Sequence, residues 1–234
     1  MIARNLLIVG VVLVGFATTG RTLFADDRYY MLMFASQGEA NAPALSHTYA
    51  VFVKTPAAAH TISEVRCISW LPSSLRIQLL RLRPEPGKNL SLEETNRWAR
   101  DLDAQITMWG PFQIKKVLYD MAVLQAERLN RKELGYKALD WRFREGAAVS
   151  CSHAVSDLDT TQPLLETGPA HGNEASLMVL HHFQRYMIPS NKSITWLTDR
   201  LHLKSSEIHF ATLPAPIASS KGPPTSKRLG RPWN

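Results

Sequence analysis

The sequence predicts an α+β fold, with an antiparallel sheet packed against helices. Three observations carry that expectation. Apolar and aromatic runs broken by Pro, Gly and Ser fill residues 29 to 82, the apolar period lengthens to a helical one from Ser91, and one strand-like run returns at Ile208–Leu213. Strands first, helices next and a late strand is the α+β order.

The elements follow in turn. Tyr29 to Ala35 is an unbroken apolar run that reads as a buried strand, and the turn-rich Ser36 to Ser46 separates it from a second strand at His47–Val53, stopped by Thr55-Pro56. Thr61 to Leu71 reads as a third strand ended by Pro72. Leu75, Ile77, Leu79 and Arg81 alternate imperfectly and predict a fourth at Leu75–Leu82, before a break at Pro84-Glu85-Pro86-Gly87. Ser91 and Glu94 form a capping box for a helix through about Ile106. Pro111, after Gly110, suits the first position of the next helix, which runs to about Asn130 with Ile114, Val117, Leu118, Met121 and Leu124 buried. Tyr136–Phe143 reads as a strand, Cys151 opens a short helix, and helices are expected at Glu174–Tyr186 and Ile194–Leu201.

At 234 residues and 45% hydrophobic, the chain can bury one core of ordinary size, and six Trp, six Tyr and eight Phe argue for a packed globule. Residues 26–213 are expected to form this single domain. Residues 1–25 have the three parts of a secretory signal in order: Arg4, the apolar Leu6 to Phe16, and the small residues Ala17 to Gly20. That apolar stretch is shorter than the roughly 20 residues of a spanning helix, so export to periplasm, cell envelope or medium is expected. Cleavage after Ala17, Gly20 or Ala25 remains open. Residues 214–234 hold five prolines and four basic residues, and read as a disordered tail.

The net charge of +7 gathers at Arg76 to Arg83, at Lys115-Lys116, at Arg128 to Lys132 and in the tail. No zinc-finger spacing or aromatic-basic RNA signature accompanies it, so an anionic envelope surface is the expected partner and nucleic acid is not. His171, His181, His182, His202 and His209 lack metal-ligand spacing, and no Gly-rich phosphate loop occurs; neither metal nor cofactor is expected. Asp157 and Asp159 read as turn-capping residues.

The chemistry-bearing candidates are His47, at the head of an apolar run, and Cys151, at the start of a helix. A thiolate becomes a good nucleophile when its pKa is lowered, as a helix N-terminus and a nearby imidazole can do. Ser46-His47-Thr48-Tyr49-Ala50-Val51-Phe52-Val53 and Ser150-Cys151-Ser152-His153-Ala154-Val155, with His before Cys, resemble the circularly permuted branch of the papain-like NlpC/P60 superfamily. Lecithin retinol acyltransferase-like proteins and YaeF/YiiX-type amidases belong to that branch. Where that group commonly has Asn-Cys-Glu-His-Phe, Ser150 here replaces the Asn and Ser152 the Glu.

The resemblance implies a papain-like core, Cys151 as nucleophile, His47 as general base and His60 as the residue that orients it, with Glu64 and Ser69 as the alternatives to His60. The Cys151 backbone N–H would face the oxyanion. Acyl transfer through a thioester would then cleave an amide or ester, in a cell-wall peptide or a lipid. His153 is expected to be structural. Two rivals stand beside this reading. One is a non-catalytic envelope binding protein, and the other a domain stabilised by a Cys67–Cys151 disulfide, the usual fate of two cysteines in an oxidising compartment.

Overall fold

The computed structural model describes residues 27–57, 59–140, 147–161, 163–190 and 194–214. The leader expected at 1–25 and, beyond Pro214, the Pro-rich tail lie outside the described residues. These residues form an α+β structure with two sheets and helices packed against them.

The larger sheet has five strands. β1 (Arg28–Gln37) pairs antiparallel with β2 (His47–Thr55) on one side and β6 (Gln105–Ile114) on the other; β3 (Glu64–Ile68) extends it beyond β2, and β9 (Ile208–Ala211) runs parallel beside β6. Both faces are covered. Met31, Met33, Ala50 and Phe52 point toward α2 (Lys116–Asn130), α3 (Cys151–Ser156) and α4 (Gly172–Phe183). Leu32, Phe34, Tyr49 and Val51 point the other way, toward α1 (Leu92–Asp101) and α5 (Thr195–Arg200). A strand buried on both faces needs apolar side chains at every position, which is why Tyr29 to Ala35 has no polar alternation.

The smaller sheet orders β4 (Trp70–Pro72), β5 (Glu85–Asn89), β7 (Gly135–Tyr136) and β8 (Ala148–Val149). The expected third strand divides at Ser69 into β3 and β4, which belong to different sheets. Asn89 pins the division: its Oδ1 accepts from the Ser69 N–H at 2.8 Å and its Nδ2 donates to the Cys67 carbonyl at 3.0 Å. β5 occupies the stretch expected to be a break. Gly87 is needed there, because a Cβ would lie 2.0 Å from the Trp70 ring.

Five further expectations are corrected. Leu75–Leu82 is not a strand; Leu75, Ile77 and Leu79 turn inward from a segment without regular structure. α1 ends at Asp101, with its capping box formed at Ser91 and Glu94, and β6 takes the residues assigned to a helix boundary. Gly110 and Pro111 sit in a bulge of β6 opposite Leu32, where the missing proline N–H interrupts no ladder bond. Gly110 has φ +99°, and a Cβ on it would meet the Met31 carbonyl at 2.9 Å. α2 buries Leu118, Tyr119, Ala122, Ala126 and Leu129 but leaves Val117 and Leu124 exposed, one step off the expected stripe. Of the strand expected at Tyr136–Phe143, only Gly135–Tyr136 is strand, and residues 141–143 lie outside the described residues.

Candidate functional site

β8 runs into Ser150, which caps α3: its Oγ accepts from the His153 N–H at 3.3 Å. The Ser150 N–H donates to Asp140 Oδ2 at 2.7 Å, and the same carboxyl group lies 2.7 and 2.8 Å from His153 Nδ1. An ionised carboxyl only accepts, so Nδ1 carries a proton toward it, and when the ring is neutral Nε2 presents its lone pair. The Thr167 hydroxyl meets that nitrogen at 3.2 Å. Asp140, His153 and Thr167 are all buried. The result is a one-way chain, Thr167 O–H to His153 and His153 N–H to Asp140, in which a carboxyl fixes the tautomer of an imidazole. Beside it, burial holds the Lys137 ammonium below its usual range, against the attraction of Asp140.

Cys151, Asp140, His153 and Thr167 line one cavity of about 460 Å³. Ile77, Leu79 and Leu139 supply apolar wall, so a polar corner meets an apolar chamber. Burial pushes the Cys151 thiol up to about 11, overcoming the backbone amides of Thr48 and Ser152 that favour the thiolate. Thr48 is also tied to α4, since its hydroxyl lies 3.0 Å from Ser176 Oγ. Gln125 Nε2 donates to the Ala154 carbonyl at 3.1 Å and holds α3 on α2.

His47 does not join this group, and its expected role as base to Cys151 is corrected. Successive side chains of a strand point to opposite faces. Thr48 faces α3 and α4, so His47 and Tyr49 face α1. The His47 ring stacks on Tyr49 at 5.3 Å, meets Trp98 edge-on at 5.5 Å, and lies 2.9 Å through Nε2 from Ser69 Oγ. Burial lowers its pKa to about 3. Thus the strand backbone passes Cys151 at Thr48, while the imidazole is on the far side of the sheet.

His60 is corrected as well: it is exposed, beyond the opposite end of β2, and stacks on Trp196 at 4.9 Å. Of the alternatives, Glu64 pairs with Arg66 and Ser69 is the one that touches His47. Cys67 and Cys151 are free thiols, and Cys67 packs with the cluster on the α1 face, so the disulfide is corrected too. Asp159 does cap a turn, accepting from the Thr161 N–H at 2.9 Å.

The reading of the residues missed Asp140 and Thr167, and it gave His153 only a structural place. One signal was available for Asp140. It is a lone acid in a segment read as a strand, and acids are almost never buried without a partner. Thr167 carried no signal, because its loop has no periodicity.

No protein-family model matches the chain, and no curated protein or solved structure matches it. Among the described residues no helix is long and apolar enough to cross a membrane.

Proposed function

We propose that this chain is an exported thiol hydrolase or acyltransferase, in which Cys151 forms an acyl thioester and the Asp140–His153 pair, rather than His47, moves the proton. The observation that carries the reading is the shared cavity: a cysteine, a buried imidazole whose tautomer is fixed by a carboxyl, and an apolar chamber beside them. These are the parts that acyl transfer needs.

The proposed sequence balances as follows. Cys151 and His153 stand two positions apart on α3 and diverge, so the S–H proton goes to His153 Nε2 across the cavity that both line, once the Thr167 hydroxyl releases that nitrogen. The sulfur attacks the carbonyl carbon of an ester or amide. Collapse of the tetrahedral adduct expels the alcohol or amine, which takes the proton from His153. Water, or a second alcohol or amine, then attacks the thioester and restores the thiol. Export rests on the leader-like residues 1–25, and a cell-wall peptide or lipid is the substrate expected in that compartment.

One observation favours a second reading, a binding protein without catalysis. Burial pushes the Cys151 thiol up to about 11, against the thiolate that attack requires. Incubation with p-nitrophenyl esters of two to twelve carbons separates the two. The enzyme reading expects nitrophenol release and an acyl adduct on the Cys151 tryptic peptide, both abolished in Cys151→Ala and reduced at least about a hundredfold in His153→Ala, the usual size of a lost general base. Saturable binding of the ester with no adduct and no release would leave only the binding protein.

A further inference from the structure

We infer that the segment 73–84 is a docking surface for an anionic lipid bilayer, seating the mouth of the cavity on the membrane. The segment joins β4 to β5 and is firmly held at its base. The Ser73 N–H donates to the Pro86 carbonyl at 2.8 Å, and Trp98 Nε1 donates to the Leu75 carbonyl at 3.1 Å. Its inward residues serve the interior: Leu75 packs on the α1 side, and Ile77 and Leu79 line the cavity.

Its outward residues have no such use. Leu80 and Leu82 are each 88% exposed, the largest exposures among the hydrophobic residues described, and Leu139 on the cavity wall is 45% exposed. Around them stand Arg76, Arg81 and Arg83, and residues 73–84 contain no carboxylate. Glu85, which follows, is turned inward, with its side chain 7% exposed and 3.7 Å from the Arg81 guanidinium, so Arg76 and Arg83 carry the charge that meets the headgroups. Two bare leucines set among arginines match the chemistry of a headgroup layer, where guanidinium groups meet phosphates and aliphatic side chains reach the acyl boundary. An anionic polymer would engage the arginines alone and leave the leucines in water, so lipid is the occupant that accounts for both. The inference does not depend on thiol chemistry, although an apolar cavity next to such a surface is well placed to receive a molecule from the bilayer.

The test uses the full chain with vesicles of phosphatidylcholine alone or with phosphatidylglycerol. Vesicle sedimentation is read together with millisecond hydrogen exchange at residues 76–83. Residues 1–26 are common to all variants and cancel in the comparison. Phosphatidylglycerol vesicles should slow exchange at 76–83 and phosphatidylcholine vesicles should not. Leu80→Ser with Leu82→Ser should weaken sedimentation about tenfold or more, as loss of two buried aliphatic side chains implies. Arg76→Gln with Arg83→Gln should weaken it and flatten its salt dependence, while Cys151→Ala should bind like the unmodified chain. Three results would overturn the proposal: unchanged exchange at 76–83 in vesicle-bound protein, sedimentation indifferent to the two leucines but lost with the arginines, or concentration-dependent protection of 76–83 without vesicles, which would assign the surface to a second copy.

Discussion

Ser36 and His47 stand opposite each other in the β1–β2 register, and each has a buried polar atom, Ser36 Oγ and His47 Nδ1, with no hydrogen-bond partner among the described residues. The other His47 nitrogen explains why this is tolerated. Thr95 Oγ1 lies 2.7 Å from both Ser69 Oγ and the Ser91 carbonyl. A carbonyl can only accept, so Thr95 donates to Ser91, Ser69 donates to Thr95, and His47 Nε2–H donates to Ser69. Every bond in the chain is made in that direction. The atom left over is then a lone pair at Nδ1, on a neutral ring.

A buried neutral histidine makes stability depend on pH. Burial lowers the folded pKa of His47 to about 3, whereas the unfolded chain keeps a value near 6.5. Between those values the unfolded state binds the proton and the folded state does not. Stability therefore falls as pH drops through that window, by about 1.4 kcal/mol per pH unit at most. His47→Gln retains a donor for Ser69 and removes the titration. Urea denaturation of both proteins at pH 7, 6, 5 and 4 should show their stability difference shrinking as pH falls; a constant difference would exclude this role.

The Ser36 hydroxyl gives an opposite expectation. A buried hydroxyl without a partner contributes desolvation cost and no bond. Ser36→Ala should therefore be neutral or stabilising, by up to about 1 kcal/mol, where most substitutions at fully buried positions destabilise. A shift of the urea midpoint to lower concentration would show that Ser36 Oγ does have a partner in solution.

Sequence made the strands around the site legible where burial is two-sided and turns are plain. β1 and β2 follow from unbroken apolar runs, and α1 from its capping box. The failures share a cause. Gly110-Pro111 reads as a boundary by local propensity, yet a bulge absorbs both residues inside β6, and only pairing with β1 decides that. The His47–Cys151 pairing failed on strand parity: a residue one position along, Thr48, points at α3, and nothing in the motif fixes which face the helix covers. Asp140 and His153 lie thirteen residues apart in sequence, so their 2.7 Å contact was not readable from spacing.

The two thiols answer to alkaline pH with the reverse sign. Burial pushes Cys67 up to about 12 and Cys151 up to about 11, against an ordinary value of 9.0. Above pH 9 the unfolded chain loses thiol protons that the folded chain retains, so stability declines as pH rises through the window to about 11 or 12. Iodoacetamide labelling of the ligand-free protein, followed peptide by peptide by mass spectrometry, should give both cysteines alkylation midpoints above that of a model thiol. Cys151, with three backbone amides favouring its thiolate, should react first. A Cys151 midpoint below 8 would show that the resting thiol is activated after all, and would move the balance firmly to the enzyme reading.

Among the described residues Asp140 accepts from two donors, the Ser150 N–H and His153 Nδ1–H, and so ties the chain at Asp140 to the start of α3. Asparagine is nearly the same shape but presents one acceptor oxygen and one NH₂ donor. Oδ2 meets both the Ser150 N–H and His153 Nδ1, and Oδ1 lies 2.8 Å from the same Nδ1, so in Asp140→Asn the amide oxygen can serve both donors from the Oδ2 position only by setting its NH₂ against Nδ1–H, or by turning the imidazole to the tautomer with Nδ1 bare and Nε2–H pointed at Thr167. The first outcome costs about 1–3 kcal/mol of stability, as for a buried donor left unpaired. The second spares stability but removes the lone pair that the proposed mechanism needs at Nε2. Asp140→Asn is thus expected either to lower the unfolding free energy by that amount or to shift the His153 ring nitrogens to the Nε2–H pattern in ¹⁵N spectra. Ser150→Ala keeps the backbone N–H and the imidazole pair, so it should lose only the cap of α3, about 1 kcal/mol, with the His153 tautomer unchanged. An Asp140→Asn protein with native stability and an unaltered imidazole spectrum would show that the carboxyl does not hold the ring.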